Sequence, residues 1–160
     1  MHETHTFPIF INDDSTVLIL GSFPSVKSRE QNFYYAHPQN RFFPTLARIF
    51  SEDVPHQVQD RKTFLKIHRI ALYDVIEECD IDGSDDSSIR NVTPINLQSI
   101  LEEYPNIQTI GVLGKKAQHL FEQYLKDDCS VKVVYLPSTS PANAKMKFDD
   151  LVQEFQILFK

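Results

Sequence analysis

Four short apolar runs decide what this chain can fold into. Thr16–Leu20, Ile107–Leu113 and Val131–Leu136 stop at Gly21, Gly114 and Pro137, and Ile70-Ala71-Leu72-Tyr73 runs into a strand end at Asp74 or Ile76. Apolar runs of this length, bounded by turn-forming residues, are expected to be buried strands. Helical periodicity fills the gaps. Over Asn40–Phe50, the residues Phe43, Leu46, Ala47 and Phe50 fall at i, i+3, i+4 and i+7, with Pro44 in the first turn, where a missing N–H costs little. Further helices are expected over Arg61–Arg69, from Thr93-Pro94 to Glu103 with Thr93 as N-cap, and over Lys115–Leu125. A last one is expected over Lys145–Phe159, with Met146, Leu151, Phe155 and Leu158 facing inward. Strands alternating with helices predict an α/β fold. It is a single domain over residues 1–160, with three layers (α/β/α) and a central four-stranded, mainly parallel sheet. Such sheets bind ligands beyond the C-terminal ends of their strands.

Two stretches follow strand ends and carry chemistry. After Leu20 comes the turn Gly21-Ser22-Phe23-Pro24-Ser25, then a connection crowded with Phe33, Tyr34, Tyr35, His37, Asn40, Arg41, Phe42 and Phe43. Loops lie in water and normally avoid aromatics. Flat rings beside His, Asn and Arg suit a planar heterocycle, the rings for stacking and the polar groups for edges and phosphates. The same composition also fits a long loop pinned to the core by its own rings. The second stretch follows Leu136 and reads Pro137-Ser138-Thr139-Ser140-Pro141-Ala142-Asn143.

Order and spacing favour the first of those readings. Gly21–Ser25, then Ser28, then Tyr34-Tyr35-Ala36-His37-Pro38-Gln39-Asn40-Arg41-Phe42 resembles the first motif of the hypoxanthine-DNA (deoxyinosine) glycosylases of the uracil-DNA glycosylase superfamily. The Ala36–Phe42 core also resembles the mismatch-specific uracil/thymine-DNA glycosylases, and Leu136–Asn143 resembles the second motif of the hypoxanthine group. The likeness runs from about Val17 to the C-terminus. It implies a uracil-DNA glycosylase-like fold and a monofunctional DNA repair enzyme. That enzyme would hydrolyse the N-glycosidic bond of a flipped deaminated base, hypoxanthine first and uracil or a mismatched base second, and leave an abasic site. No cofactor and no metal are expected.

Cleaving that bond requires the base out of its stack, stabilisation of the developing charges, and a water on the far face of the sugar. The resemblance puts Tyr35 where relatives stack a Phe on the base, although Tyr35 also fits a core ring. Asn40 is the catalytic candidate, orienting the water or supporting the sugar. It also fits a helix N-cap, and both roles can hold. His37 fits a backbone or phosphate ligand, or a buried histidine shaping the loop. Gly21, Ser22, Phe23 and Ser25 form the base-binding turn, with the Ser22 and Phe23 amides available to the base edge. Ser138, Thr139, Ser140, Pro141, Ala142 and Asn143 form the loop that meets the DNA backbone after flipping, or a plain strand-to-helix turn.

The chain departs from its relatives at three places. Phe23 stands where mismatch-specific relatives carry Asn and the most familiar uracil enzymes carry Asp, which counts against high activity on uracil. Phe43 replaces a Trp. Leu113 in Val112-Leu113-Gly114-Lys115-Lys116-Ala117 replaces an Asn of the hypoxanthine group, so this position cannot hydrogen-bond the base.

Charge bears on the partner. The net charge is −6, yet residues 16–50 hold Lys27, Arg29, Arg41 and Arg48 against Glu30 alone. Residues 74–86 hold Asp74, Glu77, Glu78, Asp80, Asp82, Asp85 and Asp86 with no base and, with Gly83-Ser84, are expected as a solvated loop. Cys79 and Cys129 are expected as reduced thiols. No apolar run reaches membrane-spanning length, and Met1–Asp14 lacks the pattern of a signal peptide, so a cytoplasmic monomer is expected. The expected partner is DNA containing deaminated or mismatched bases, with no membrane. Gly111–Lys116 lacks phosphate-loop spacing, and no G-x-S-x-G elbow occurs. The remaining alternative is a non-catalytic nucleobase-, nucleotide- or DNA-binding module on the same fold.

Overall fold

The computed structural model describes all 160 residues. In chain order the strands and helices are β1 (His2–Thr4), β2 (Val17–Gly21), α1 (Val26–Gln31), α2 (Phe42–Ile49), α3 (Val58–Ile67), β3 (Ile70–Asp74), β4 (Ile76–Asp80) and β5 (Arg90–Pro94). Then follow α4 (Leu97–Glu103), β6 (Thr109–Leu113), α5 (Lys115–Tyr124), β7 (Lys132–Leu136) and α6 (Phe148–Phe155). Short 3-10 turns cover Asp86–Ser88, Lys126–Asp128, Pro141–Asn143 and Gln156–Phe159.

The four apolar runs form one sheet in the order β3-β2-β6-β7, with every pairing parallel. The expected α/β architecture is what the chain adopts. All five residues of β2 are buried, as a central strand covered on both faces requires. Successive side chains point to opposite faces. Leu18 and Leu20 therefore meet one apolar layer with Leu97, Ala117, Leu120 and Phe121 of α4 and α5. Val17 and Ile19 meet the other, with Phe42, Phe43, Leu46, Phe64, Leu65, Leu151 and Phe155 of α2, α3 and α6. The chain steps outward from β2 to β3, then returns across β2 to β6. That reversal opens a crevice at the C-terminal ends of β2 and β6.

The periodicity misses a second sheet. β1, β4 and β5 form an antiparallel sheet in the order β1-β4-β5. Residues 76–80 of the expected acidic loop are therefore strand β4. Register shifts between Ile76 and Glu78, and again between Glu78 and Asp80, put the buried Ile76 and Cys79 three positions apart. Bulges of this kind erase the period-two signature. Thr93-Pro94 does not open a helix: it ends the edge strand β5, where a missing ladder N–H is tolerated. The helix opens two residues later, where the Asn96 side chain accepts the Ser99 amide at 3.1 Å. Helix α1 also departs from the expectation, because Val26–Gln31 lies in the stretch read as a connection. The other differences are shifts at element ends. Helix α3 starts at Val58 rather than Arg61, and the last helix splits into α6 and the turn Gln156–Phe159. No helix is long and apolar enough to cross a membrane.

Helix α6 closes the structure by packing on α2, where the fully buried Phe155 ring meets Phe42 edge-on at 6.3 Å. Phe155→Ala is expected to lower the unfolding free energy by about 3–5 kcal/mol through lost burial and a residual cavity. Urea denaturation followed by circular dichroism measures it.

Candidate active site

A cavity of about 390 Å³ lies at the strand ends. Its walls come from β2, β3, β6 and the segment after β7, as the topology demands. Of the residues singled out from sequence, Gly21, Ser22, Phe23, Ser25, Tyr35, His37, Asn40, Thr139, Ser140, Pro141 and Ala142 line it. Ser138 and Asn143 do not. They brace the loop from behind: the Asn143 amide donates to the Ser138 carbonyl at 2.9 Å, and the Ser138 hydroxyl accepts the Ser140 amide at 3.1 Å.

Hydrogen bonds shape the aromatic connection. Ser25 caps α1 by accepting the Ser28 amide, and the buried Ser28 hydroxyl accepts the Ala36 amide at 3.2 Å. This tether turns the chain back so that Tyr35 takes φ +54, a conformation uncommon for a bulky residue. The Tyr35 ring then stacks on Phe42 at 4.0 Å and 15°. Its hydroxyl is enclosed and has no protein partner, as is that of Thr139. Buried hydroxyls nearly always find partners, so two orphans on one cavity wall are unusual. Burial, and secondarily the charge of Asp74, pushes the Tyr34 and Tyr35 phenols far above their ordinary range. Both keep their protons, and the Tyr35 hydroxyl is a free donor.

Asn40 lies one residue before the Arg41 that caps α2 geometrically. Its Oδ1 accepts the Phe42 amide at 2.9 Å. Because that donor fixes which end is oxygen, the Nδ2 end is left without a protein acceptor at the cavity. Helix capping and an available amide thus coexist in this side chain. His37 is exposed at the mouth rather than buried. Its Nδ1 accepts the Gln39 amide at 3.1 Å. Phe23 is 7% exposed, packed in the core under the Arg29 guanidinium at 5.6 Å, and it lines the cavity without plugging it. The Ser22 and Phe23 amides bond no carbonyl or side chain, and the Ser22 hydroxyl donates to Asp86 Oδ1 at 3.1 Å.

Arg41 ties the two motifs together. Its backbone amide bonds the Thr139 carbonyl at 3.1 Å, and its guanidinium donates to the carbonyls of Met146 at 2.6 Å and Asn143 at 2.9 Å.

Three contributors were invisible in the sequence. Asp74 is 4% exposed and lines the cavity, so this end of the acidic run is not a solvated loop. Its position at the C-terminal end of a strand was the available signal. Asp86 also lines the cavity from an exposed turn. Crowding by the protein raises its pKa, against the pull of the Ser22 hydroxyl and of Lys116. His5 bonds Asp74 Oδ2 at 2.8 Å from an N-terminal segment that carries no pattern at all. The four cations of the basic segment divide: Arg41 and Arg29 are engaged within the fold, whereas Lys27 and Arg48 lie exposed in surface pairs. Arg41 holds carbonyls, Arg29 pairs with Glu3, Lys27 with Glu30 and Arg48 with Asp149. A second hollow, lined by Gln98, Leu101, Glu102, Asp127, Asp128, Cys129 and Ser130, lies at the opposite end of the sheet and holds none of the motif residues.

Comparison with known proteins identifies the family. The profile described as Uracil DNA glycosylase superfamily matches residues 8–159, so the chain belongs to that superfamily and stands among the DNA glycosylases. A hypoxanthine DNA glycosylase from Methanosarcina barkeri is 36% identical over 113 residues, covering 69% of this chain and 71% of the relative. One from Methanosarcina acetivorans is 31% identical over 140 residues, covering 87% of each. A solution NMR structure from Methanosarcina acetivorans, provisionally described as a uracil DNA glycosylase, superposes with a TM-score of 0.82 at 28% identity over the full length of both chains.

Arg41→Ala leaves the carbonyls of Asn143 and Met146 without their donor. It is expected to lower stability by about 1–3 kcal/mol and to speed amide exchange across residues 138–147. Hydrogen exchange with mass spectrometry locates the change. Faster exchange confined to the chain ends would contradict the tether.

Proposed function

We propose that this chain is a monofunctional DNA glycosylase for deaminated bases, acting as a single domain and a cytoplasmic monomer. Hypoxanthine is its first substrate; uracil or a mismatched base is second. The observation that carries this reading is the convergence of the two motifs on one cavity at the strand ends, joined there by Arg41. Neither motif makes the cavity alone.

Each group has a task in this reading. The Tyr35 ring, backed by Phe42, offers a flat face to an everted base. The Ser22 and Phe23 amides are donors without partners, available to the carbonyl and ring-nitrogen edge of hypoxanthine. Leu113 supplies an apolar wall. The Asn40 Nδ2 group orients the water or supports the sugar as its cationic character develops. The loop Thr139–Ala142, followed by exposed Lys145 and Lys147, meets the phosphates. No cofactor enters the scheme.

The rival reading is a module that binds a free nucleobase without cutting. The carboxylates of Asp74 and Asp86 on the cavity, with the net charge of −6, favour it, because acids repel phosphates. Labelled duplexes carrying deoxyinosine or uracil, incubated with the protein and then treated with alkali, separate the two. The glycosylase reading predicts strand breaks that appear only after alkali, faster for inosine. Intact strands on every substrate, with titratable binding of free inosine, would establish the module instead. Asn40→Ala is expected to slow cleavage by about tenfold or more while the thermal melt stays near wild type. An unchanged rate would remove Asn40 from the mechanism.

A further inference from the structure

We infer that Asp74 is the carboxylate that takes the proton from the attacking water, and that His5 is its positioning residue. This role rests on the glycosylase reading above.

The geometry divides the two carboxylate oxygens. Asp74 Oδ2 meets His5 Nε2 at 2.8 Å, with the side chains 6% and 2% exposed. The other His5 nitrogen, Nδ1, meets the Phe7 carbonyl at 2.8 Å, an acceptor that forces Nδ1 to carry hydrogen. Both ring nitrogens therefore face acceptors, and the proposed step has Nε2 donate to Oδ2 of the carboxylate. Oδ2 is thereby satisfied. Oδ1 receives no hydrogen bond from the protein, although Asp74 lines the cavity.

Oδ1 has a specific place. Asp74 is the cross-strand partner of Gly21, the residue that opens the base-binding turn. A Cβ at Gly21 would lie 2.6 Å from Oδ1 and 3.5 Å from the Tyr35 hydroxyl. Only glycine leaves the carboxylate room to reach past β2 toward the cavity. The free oxygen thus sits beside the orphan phenol and the turn with the unpaired amides. Enclosing a carboxylate this deeply is costly unless it is partnered, and here one oxygen is partnered while the other is left open. The open oxygen faces the cavity, where it can accept a proton from a bound water. Asp86, the other carboxylate on the cavity, sits on an exposed turn with an oxygen already engaged by Ser22.

His5 is held for this task. Its amide bonds the Glu77 carbonyl at 2.7 Å, and its ring packs against Phe7 at 4.7 Å and Tyr73 at 4.9 Å. Two hydrogen bonds between Phe10 and Leu72 fasten the same segment to the edge of β3.

In the step itself, the water oxygen forms a bond to C1′ while the N-glycosidic bond breaks and its electron pair leaves with the base. The water proton passes to Oδ1. The departing base takes up a proton from solvent, and Asp74 returns one to solvent. One water is consumed and no co-reactant is needed.

Single-turnover cleavage and DNA binding, measured on inosine and uracil duplexes, test the role. Asp74→Asn is expected to lower the cleavage rate constant by about 100-fold on both bases, with affinity for the duplex within about threefold of wild type. Formate is expected to restore cleavage by Asp74→Ala by about tenfold, a rescue that a merely structural carboxylate would not show. His5→Gln, which keeps a donor toward Oδ2, should retain activity within about tenfold, while His5→Phe should fall like Asp74→Asn.

Four results would overturn the role: Asp74→Asn cleaving at nearly the wild-type rate, a loss confined to inosine, a loss matched by lost DNA binding, or a folded Asp74→Ala that formate leaves inactive. If no Asp74 variant folds, Gly21→Ala decides, because it crowds Oδ1 without removing it: a wild-type rate overturns the role, and a loss of about tenfold supports it. Wild-type protein that cleaves nothing overturns the glycosylase reading and this role together. Active wild type with an unimpaired Asp74→Asn overturns the role alone.

Discussion

The side chain of Arg41 holds together two stretches that are separated by more than a hundred residues of chain. Its guanidinium bonds carbonyls 102 and 105 residues away, in the turn after β7 and its continuation toward α6. Without those bonds, only the Arg41 backbone amide, bonded to the Thr139 carbonyl, still ties the serine-rich loop to the tyrosine-rich connection, and the cavity wall loosens. The planar fork of an arginine suits the task, because it can meet two carbonyls in fixed directions at once. Arg41 thereby directs its charge to carbonyls of the protein itself, while Lys27 and Arg48 of the same segment keep theirs at the surface.

Around that clamp, the sheet supplies the remaining geometry. Strands β2, β3 and β6 end side by side, so Gly21, Asp74 and Leu113 reach the cavity as neighbours rather than as distant residues brought together by loops. Sites built on strand ends inherit the rigidity of the ladder. The loops add what the ladder cannot, a ring face from Tyr35 and a side-chain amide from Asn40. The small antiparallel sheet and the N-terminal segment then cover the β3 side and deliver His5. The N-terminal segment thus reaches the site only through the His5–Asp74 contact, behind the residues that line the cavity.

The sequence was most informative where burial is two-sided. Strands β2, β3, β6 and β7 are legible because a strand covered on both faces must be apolar at nearly every position, and α2 and α5 because their apolar stripes keep helical spacing. Strands β1, β4 and β5 were hidden because β1 is three polar residues and β4 is bulged. Thr93-Pro94 imitated a helix start whose capping is done by Asn96. At the site, the residues carried by the two motifs were legible, whereas Asp74, Asp86 and His5 were not. Asp74 was assigned to a charge run that faces water, when its place as the last residue of β3 turns it inward. His5 has no local signal, because its contact with Asp74 spans 69 residues and is made only by the completed fold.

The central claim is that an everted base occupies the cavity between the two motifs. The most direct measurement is a crystal structure with a duplex containing 2′-fluoro-deoxyinosine, whose fluorine withdraws electrons from the sugar and blocks cleavage. The account predicts the hypoxanthine ring against Tyr35, its edge toward the amides of Ser22 and Phe23, and the loop Thr139–Ala142 on the phosphates. A duplex bound with its inosine still stacked, or a base lodged anywhere other than between these two motifs, would contradict it.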